Sequence, residues 1–333
     1  MLTTPLVRAV YENFPGVHLG FCTTPSGARL LAGMTYLDSV LVYDKRGRDK
    51  GLGGMLRAAG RIRAGKFDLV LSAHRSLRSA FLLRLVGIPN RVGFRQSQGR
   101  RLYNILAERD SSQHETRRNL SLLGPLGVNP SRLSNRPLLP VTGEEANHVF
   151  GLLGVGLPRG NGPLVLVAPG SVWGTKRWLG RRFGELVDLL QRALGARVIL
   201  AGSPLARAQT DQVLEHTQTP VLDLVGMTDL RMMAALVRKA DLVVTGDSAP
   251  MHVAWAFDKP TVAIFGATTP ELGFAPQTER CRVVQVEGLE CRPCSAHGPQ
   301  SCPLGHFRCM NEITVNMVFS ACEDVLKLGP SRV

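Results

Sequence analysis

The sequence predicts an α/β protein made of two doubly wound parallel-sheet domains, and three observations support this fold class. Short apolar or β-branched segments alternate with helix-like segments along the chain. In the second half the strand-like segments are almost continuously apolar, which is typical of parallel sheets covered on both faces. A cluster of Gly, Pro and Asn at 154–163 interrupts the pattern, so we expect one domain at 1–157 and another at 158–333.

The elements of each half follow from these patterns. In the first half, strands are expected at 17–21, 39–43, 67–73 and 91–94, with helices at 51–65 and 76–86 among them. In the second half, strands that end in a polar or glycine turn are expected at 163–170, 196–202, 241–247 and 260–266. A last helix is expected at about 314–327, capped by Thr314. Its apolar stripe must pack on one of the two domains, and the sequence leaves open which.

Positive charge is concentrated in the first half. The 333 residues carry 40 Lys and Arg against 26 Asp and Glu, a formal net charge of +14. Residues 1–150 hold 22 of the basic and 10 of the acidic residues, which places +12 of that charge in this half. Such asymmetry indicates an anionic partner: nucleic acid, a phosphorylated substrate or an anionic membrane face. A surface tuned only for solubility would spread the excess over both halves.

Two classes of segment are not evident in the sequence. No stretch approaches the roughly 18 consecutive apolar residues of a membrane-spanning helix. The first residues, MLTTPLVRAVYENFP, lack the apolar core of a signal peptide. We therefore expect a cytoplasmic protein.

The first chemical motif, VAPGSVWGTKRWLGRRF at 167–183, begins where the first strand of the second half ends. Its Pro-Gly-Ser turn lets the backbone approach an anion, Ser171 offers a hydroxyl, and Lys176 supplies a point charge suited to phosphate. The spacing is not that of a Walker loop. An ordinary loop with a surface lysine is the alternative. Trp173 and Trp178 are interpreted as packing residues that flank the loop.

The second motif follows the strand predicted at 241–247. Ser248 is expected to cap a helix whose first-turn N–H groups face the strand end, where an anion would bind. Asp247 lies beside them and can hold a ribose or sugar hydroxyl, and Pro250 suits the first turn. His252 lies one helical turn beyond Ser248. The alternatives are a capping serine, a structural aspartate and a core histidine.

A basic segment at 72–101 supplies a third set of candidates. Arg75 and Arg78 flank the end of the strand predicted at 67–73, on the expected ligand side of the sheet. Arginine binds phosphate or carboxylate in a bidentate manner. A solvated helix face explains some of the other basic residues nearby, which include Arg91, Arg95, Arg100 and Arg101.

Four of the seven cysteines fall within one short segment, at Cys291, Cys294, Cys302 and Cys309. The C-x2-C spacing is typical of metal sites, and four thiolates suit tetrahedral zinc. Disulfides are not expected in a cytosolic protein. Structural zinc, reduced buried thiols and a redox role are three open interpretations. A catalytic metal is not expected, because no open set of His and carboxylate ligands accompanies the thiols.

Together these motifs resemble glycosyltransferase family 9, the bacterial lipopolysaccharide heptosyltransferases. PGSVWGTKRW, GDSAPMHVAWA, FGATTP and CRPC…CPLGHFRCM occur in the family's order and spacing, and the resemblance covers essentially the whole chain. The cysteine motif is most similar to the heptosyltransferase II branch. The resemblance implies the GT-B fold, in which two Rossmann-like domains hold the active site in the cleft between them. It also implies an inverting, metal-independent transfer of heptose from ADP-heptose, with no cofactor.

The resemblance implies roles for the donor-side residues. Ser171 and Lys176 would contact the diphosphate, Asp247 the heptose, and Met227 matches a position beside the adenine. Lys176 and a helix N-terminus can stabilise the departing ADP without magnesium. The remaining residues that would line the nucleotide-sugar site lie at the start of one helix: Ser248, Ala249, Pro250 and His252.

The implied acceptor is the lipid A–Kdo core of lipopolysaccharide. Arg75 and Arg78 would face this anionic molecule, which is consistent with the basic first half. The implied location is cytoplasmic, with peripheral contact to the inner membrane. No nucleic acid partner is expected.

The chain departs from the family's pattern in three places. The family's catalytic base is an aspartate in a Gly-Asp turn after the first strand, whereas this sequence begins at Met1 with no Asp before Asp38. We therefore expect an exposed edge or a hole in the first sheet, and either an internal start in a longer protein or an impaired homologue. Leu179 replaces the family's usual Pro, and no acidic residue for the ribose is evident at 201–209.

Other function classes have weaker support. A nucleic-acid binder would need a recognisable reading motif, and a dinucleotide oxidoreductase would need a G-x-G-x-x-G loop. Two hypotheses therefore remain. The protein is a heptosyltransferase, or a close family 9 transferase for another nucleotide sugar, or it binds the donor without transferring it.

Overall fold

The computed structural model describes residues 1–329, which divide into two compact units with the boundary between Pro140 and Val141. The division lies before the expected boundary at 157/158, because the helix that precedes that boundary packs on the second unit. Glu145 of this helix accepts a hydrogen bond from Arg231 Nη2 at 2.7 Å, in a largely buried ion pair. The side chain of Thr142 begins the same helix through a capping box with Glu145.

The first unit alternates helices and strands, as predicted, and adds one short strand that the sequence did not indicate, β5. Its helices are α1 (Thr4–Asn13), α2 (Pro25–Leu31), α3 (Gly51–Ala64), α4 (Leu77–Val86) and α5 (Glu115–Leu120). Its strands are β1 (Gly20–Thr23), β2 (Ser39–Val42), β3 (Leu69–Ser72), β4 (Asn90–Phe94) and β5 (Ile105–Ala107).

These strands form two separate parallel sheets. β1 pairs with β2, and β3, β4 and β5 form a second sheet in that order. Within the described residues β1 and β3 are not paired with each other, so each is an edge strand. Their residues are mostly half-buried, and helix α1 contributes Leu6 and Val10 to the core that covers the second sheet. The first unit therefore lacks a continuous central sheet.

The second unit has a continuous six-stranded sheet. Its strands are β6 (Leu164–Ala168), β7 (Arg197–Leu200), β8 (Leu222–Asp223), β9 (Leu242–Gly246), β10 (Thr261–Ile264) and β11 (Cys281–Val284). All neighbours are parallel, and their spatial order is β11-β10-β9-β6-β7-β8. β8 and β11 were not predicted. The α/β class with parallel sheets is confirmed.

Helices cover this sheet, with α7, α9, α10 and α12 in contact with its strands. The helices of this unit are α6 (Gly143–Gly156), α7 (Gly180–Leu194), α8 (Arg207–Glu215), α9 (Leu230–Lys239), α10 (Ala249–Ala256), α11 (Arg308–Asn311) and α12 (Val315–Leu326). Every residue of β6, β9 and β10 is buried, which explains their continuous apolar sequence. Helix α12 is capped by Thr314, as predicted, and its buried Val318 and Cys322 join the second unit's core.

Within residues 1–329, no helix is long and apolar enough to cross a membrane.

The contrast between the two short sheets of the first unit and the continuous sheet of the second predicts a difference in local stability. Amides of β6 and β9 should exchange with deuterium more slowly than those of β1 and β3, by on the order of tenfold or more, because edge strands open locally at lower cost. Hydrogen exchange with peptide-level mass spectrometry measures both sets in one sample. Equal protection of the four strands would contradict the prediction.

Candidate functional site

A cavity of about 340 Å³ lies in the second unit, where the chain leaves β6, β9 and β10. This is the carboxyl edge of the sheet, the usual ligand side of an open parallel sheet. Six of the predicted donor-side residues line it together: Ser171, Lys176, Asp247, Ser248, Ala249 and His252. Two do not. Pro250 lies in the first turn of α10 without lining the wall, and Met227 is exposed on the loop after β8.

An ion pair joins two sides of this cavity. Lys176 Nζ lies 2.6 Å from Asp247 Oδ2, and both side chains are about nine-tenths buried. Thr268 Oγ1 donates to the same carboxylate oxygen at 2.7 Å. The sequence suggested separate contacts to diphosphate and sugar for Lys176 and Asp247. In the structure these two residues contact each other.

Glycine allows the loops to approach closely enough for this pair. A Cβ atom at Gly246 would lie 2.9 Å from the carbonyl oxygen of Lys176. At Gly266, a Cβ would lie 2.9 Å from the carbonyl oxygen of Thr175 and closer still to Met310. Any larger residue at either position would therefore push apart the loops that follow β6, β9 and β10.

Helix α10 begins beside the pair, but not with the expected cap. Ser248 occupies the N-cap position with an extended backbone, and its side chain makes no capping hydrogen bond. Its hydroxyl lies 3.1 Å from Thr245 Oγ1 instead, back toward the strand. The hydroxyl therefore does not close the first turn of α10, which begins with Ala249 at the cavity.

The outer wall of the cavity comes from a segment distant in sequence. The rings of Trp173 and His297 are nearly parallel, with centroids 6.4 Å apart, and both line the cavity. Thr175 Oγ1 donates to the carbonyl of Pro299 at 2.6 Å, and Gln300 Oε1 accepts from the Gly174 amide at 3.1 Å. The predicted packing role holds for Trp178, which is buried, whereas Trp173 is a cavity residue.

Arg292 organises the same region and was not singled out from the sequence. Its guanidinium donates to the carbonyl oxygens of Gly266 and Thr268, the latter at 2.8 Å, and of Val286 at 2.6 Å. It thereby holds the loop that presents Thr268 to Asp247. The planar guanidinium carries five N–H donors in a fixed geometry, so it can donate to several carbonyl oxygens at once.

The basic residues of the first unit divide into two groups. Arg91 has a structural role, because it donates to the carbonyls of Leu102 and Pro89. Arg75 and Arg78 are exposed after β3, and Arg78 Nε donates to the hydroxyl of Tyr43 at 2.8 Å.

A second cavity, of about 630 Å³, lies in the first unit beside helix α4. Leu77 and residues 95–102 line it, including Arg95, Arg100 and Arg101. Burial and the positive charges of Lys45 and Arg75 lower the pKa of nearby His74, which is consistent with a positive potential on this side of the unit.

The clustered cysteines are free thiols. Within residues 1–329, the cysteine cluster included, no group of three or more His, Cys, Asp or Glu side chains is placed to hold a metal ion. Burial raises the pKa of Cys309 to about 11. At Cys302 burial acts in the same direction, but hydrogen bonds from backbone amides of residues 304–307 outweigh it and lower the pKa.

This difference predicts the order of thiol reactivity in the cluster. Cys302 should react with iodoacetamide at pH 7.5 before Cys309, because the thiolate is the nucleophile and forms at lower pH at Cys302. Peptide mass spectrometry over a time course measures both sites. Cys302→Ser should remove the fast phase. Modification of Cys309 first would contradict the assignment.

Comparison with known proteins agrees with this fold. The family model for glycosyltransferase family 9 (heptosyltransferase) matches residues 55–302. Lipopolysaccharide heptosyltransferase 3 of Escherichia coli (strain K12) is 26% identical over 281 residues, which cover 80% of this chain and 79% of that protein.

Two solved structures share the fold. The glycosyl transferase family 9 structure from Veillonella parvula has a TM-score of 0.88 at 22% identity and covers 98% of this chain and 94% of its own. E. coli ADP-heptose lps heptosyltransferase II has a TM-score of 0.78 at 22% identity, covering 98% and 95%. The resemblance noted from the motifs is thus confirmed: the fold is GT-B, and the chain belongs to glycosyltransferase family 9.

Proposed function

We propose that the protein is an inverting heptosyltransferase that transfers heptose from ADP-heptose to the inner core of lipopolysaccharide. The observation that carries this proposal is the Lys176–Asp247 pair, set beside the start of α10 in the cavity of the second unit. Family membership supports the reaction class, and the names of the E. coli relatives support the donor and the acceptor.

The donor's diphosphate would bind at Lys176, Ser171 and the N-terminus of α10. An ammonium group and a helix N-terminus both favour negative charge, and that charge grows on ADP as the bond from the anomeric carbon to the phosphate oxygen breaks. Asp247 would exchange its contact with Lys176 for one with a heptose hydroxyl, while it keeps the hydrogen bond from Thr268. These groups stabilise the leaving ADP without a metal ion or other cofactor.

The acceptor would bind on the first unit. Its hydroxyl attacks the opposite face of the anomeric carbon, which inverts the configuration, and its proton passes to a base. Arg75, Arg78 and the basic second cavity offer charges that suit the phosphates and carboxylates of a lipid A–Kdo core. An acceptor of this kind lies at the inner membrane, so we infer a cytoplasmic protein with peripheral membrane contact.

Donor binding is the direct test of the proposal. ADP-heptose should raise the melting temperature of the wild-type chain, and UDP-sugars should not. Lys176→Gln should lose most of this shift, because the side chain that meets the diphosphate becomes neutral. Lys327→Gln is the matched control, since Lys327 belongs to an exposed ion pair of the same unit, with Asp324. Differential scanning fluorimetry reads all three proteins.

Two outcomes of this experiment would count against the proposal. If no ADP-sugar shifts the melting temperature, the donor assignment is wrong. If Lys176→Gln keeps the full shift, the diphosphate binds elsewhere.

A second candidate function is donor binding without transfer. One observation favours it: the carboxylate of Asp247 is already paired with Lys176 and Thr268, so it is not free to take the proton of an acceptor hydroxyl. Incubation of the 333-residue chain with ADP-heptose and a Kdo-bearing acceptor separates the two candidates. Release of ADP together with a heptosylated acceptor rejects the binding-only function, whereas a melting shift without product supports it.

A further inference from the structure

The first unit exposes apolar side chains on two neighbouring helices. On α3, Leu52 is 64% exposed and Leu56 54%, and on α4, Leu77 is 54% and Phe81 41% exposed. The two helices pack side by side. They run in the same direction, because Arg63 in the last turn of α3 donates to the carbonyl of Val86 at the end of α4, at 3.0 Å, and the two N-terminal ends are also in contact. Arg78 of the first turn of α4 contacts Asp49 at the start of α3, with 3.4 Å from Nη2 to the carbonyl oxygen. The four apolar side chains therefore all lie on the N-terminal halves of the pair.

Basic residues surround these apolar side chains. Residues 44–101 carry 15 Lys and Arg against three Asp, so this segment accounts for the whole +12 excess of the first half. Of the three acids, Asp49 is buried and paired with Arg61 at 2.8 Å, which removes its charge from the surface. Exposed arginines of the same two helices include Arg57 and Arg84. We call the exposed apolar and basic residues of α3 and α4 the α3–α4 face.

We propose that the α3–α4 face docks on an anionic lipid bilayer, with Leu52, Leu56, Leu77 and Phe81 entering the headgroup region. Apolar side chains inserted beside cationic ones characterise interfacial membrane binding, in which burial and attraction to anionic lipids add. The inference rests on the proposed function, because a lipid acceptor requires the enzyme to work at a membrane surface.

Other occupants fit this face less well. A nucleic acid would meet the arginines, but it offers nothing to four exposed Leu and Phe side chains. A second copy of the chain would bring the same positive surface against itself, with like charges opposed. A bilayer that contains acidic phospholipids satisfies both the charge and the apolar side chains.

Vesicle co-sedimentation tests the proposal without any acceptor present. The wild-type chain should bind vesicles of phosphatidylcholine with phosphatidylglycerol and should not bind vesicles of phosphatidylcholine alone. Leu52→Ser combined with Leu56→Ser and Phe81→Ser should lower the partition coefficient at least tenfold. The matched control replaces exposed apolar residues of the second unit by serine, at Phe150, Val155 and Leu205. This control should bind the vesicles like the wild type.

A second pair of variants tests the charges. Arg57→Gln and Arg84→Gln should each weaken binding about fivefold, the effect of one cation near an anionic surface. Arg132→Gln, on an exposed residue of the same unit outside the face, should change nothing. Unchanged vesicle binding by the triple serine variant, or equal binding of wild type to neutral vesicles, would overturn the proposal.

The melting shift with ADP-heptose, measured on the same samples, separates this inference from the proposed function. The triple serine variant should keep the wild-type shift, which also shows that it is folded. If the wild-type chain binds vesicles but ADP-heptose does not shift its melting temperature, the donor assignment is wrong and membrane docking by the α3–α4 face is still supported. If ADP-heptose shifts the melting temperature but the chain does not bind vesicles, only the docking proposal is wrong.

Discussion

The pairing of Lys176 with Asp247 is the constraint on which the candidate site depends. Both side chains are about nine-tenths buried. Removing one partner of such a buried pair typically lowers the free energy of unfolding by about 3–5 kcal/mol, because the other charge is left unpaired. The pair connects the loop after β6 to the loop after β9, and Thr268 adds the loop after β10. Arg292 then holds that third loop from the cysteine-bearing segment. The ion pair and its two supporting residues thus hold the loops after β6, β9 and β10 together at one edge of the sheet.

The same constraint connects structure to chemistry. While Asp247 neutralises Lys176, the cavity holds a cation already positioned and largely removed from water, where its interaction with phosphate is strong. Under the proposed function, an arriving diphosphate would compete with the carboxylate for Lys176, and the released carboxylate would accept a hydrogen bond from a sugar hydroxyl. The same exchange of partners at Lys176 would then both bind the donor and place a positive charge beside the leaving ADP. The first unit differs from the second: it has two short sheets instead of one continuous sheet, and its candidate binding residues are exposed arginines.

Residues whose position follows from a local pattern could be predicted from the sequence. Ser171, Lys176, Asp247 and His252 lie just after predicted strands, and parallel topology brings such positions to one edge. The contact of Trp173 with His297 could not be predicted, because it joins segments more than a hundred residues apart. The role of Arg292 could not be predicted either, because the cysteines beside it carry the recognisable pattern. The first unit ends before the boundary expected at 157/158, because Glu145 of α6 pairs with Arg231 of the second unit. Such a long-range contact has no signal in the neighbouring sequence. Ser248 has the sequence of a cap, yet its hydroxyl turns to Thr245.

Calorimetric titration of ADP, without the sugar, tests the central claim most directly. Lys176→Met should weaken ADP binding by roughly 10- to 100-fold, the range for a lost hydrogen bond to a charged group. Asp247→Asn should bind ADP more tightly than the wild type, because the carboxylate that competes for Lys176 is gone. If Lys176→Met binds ADP like the wild type, or Asp247→Asn binds it more weakly, the pair is not the diphosphate site and the account is contradicted.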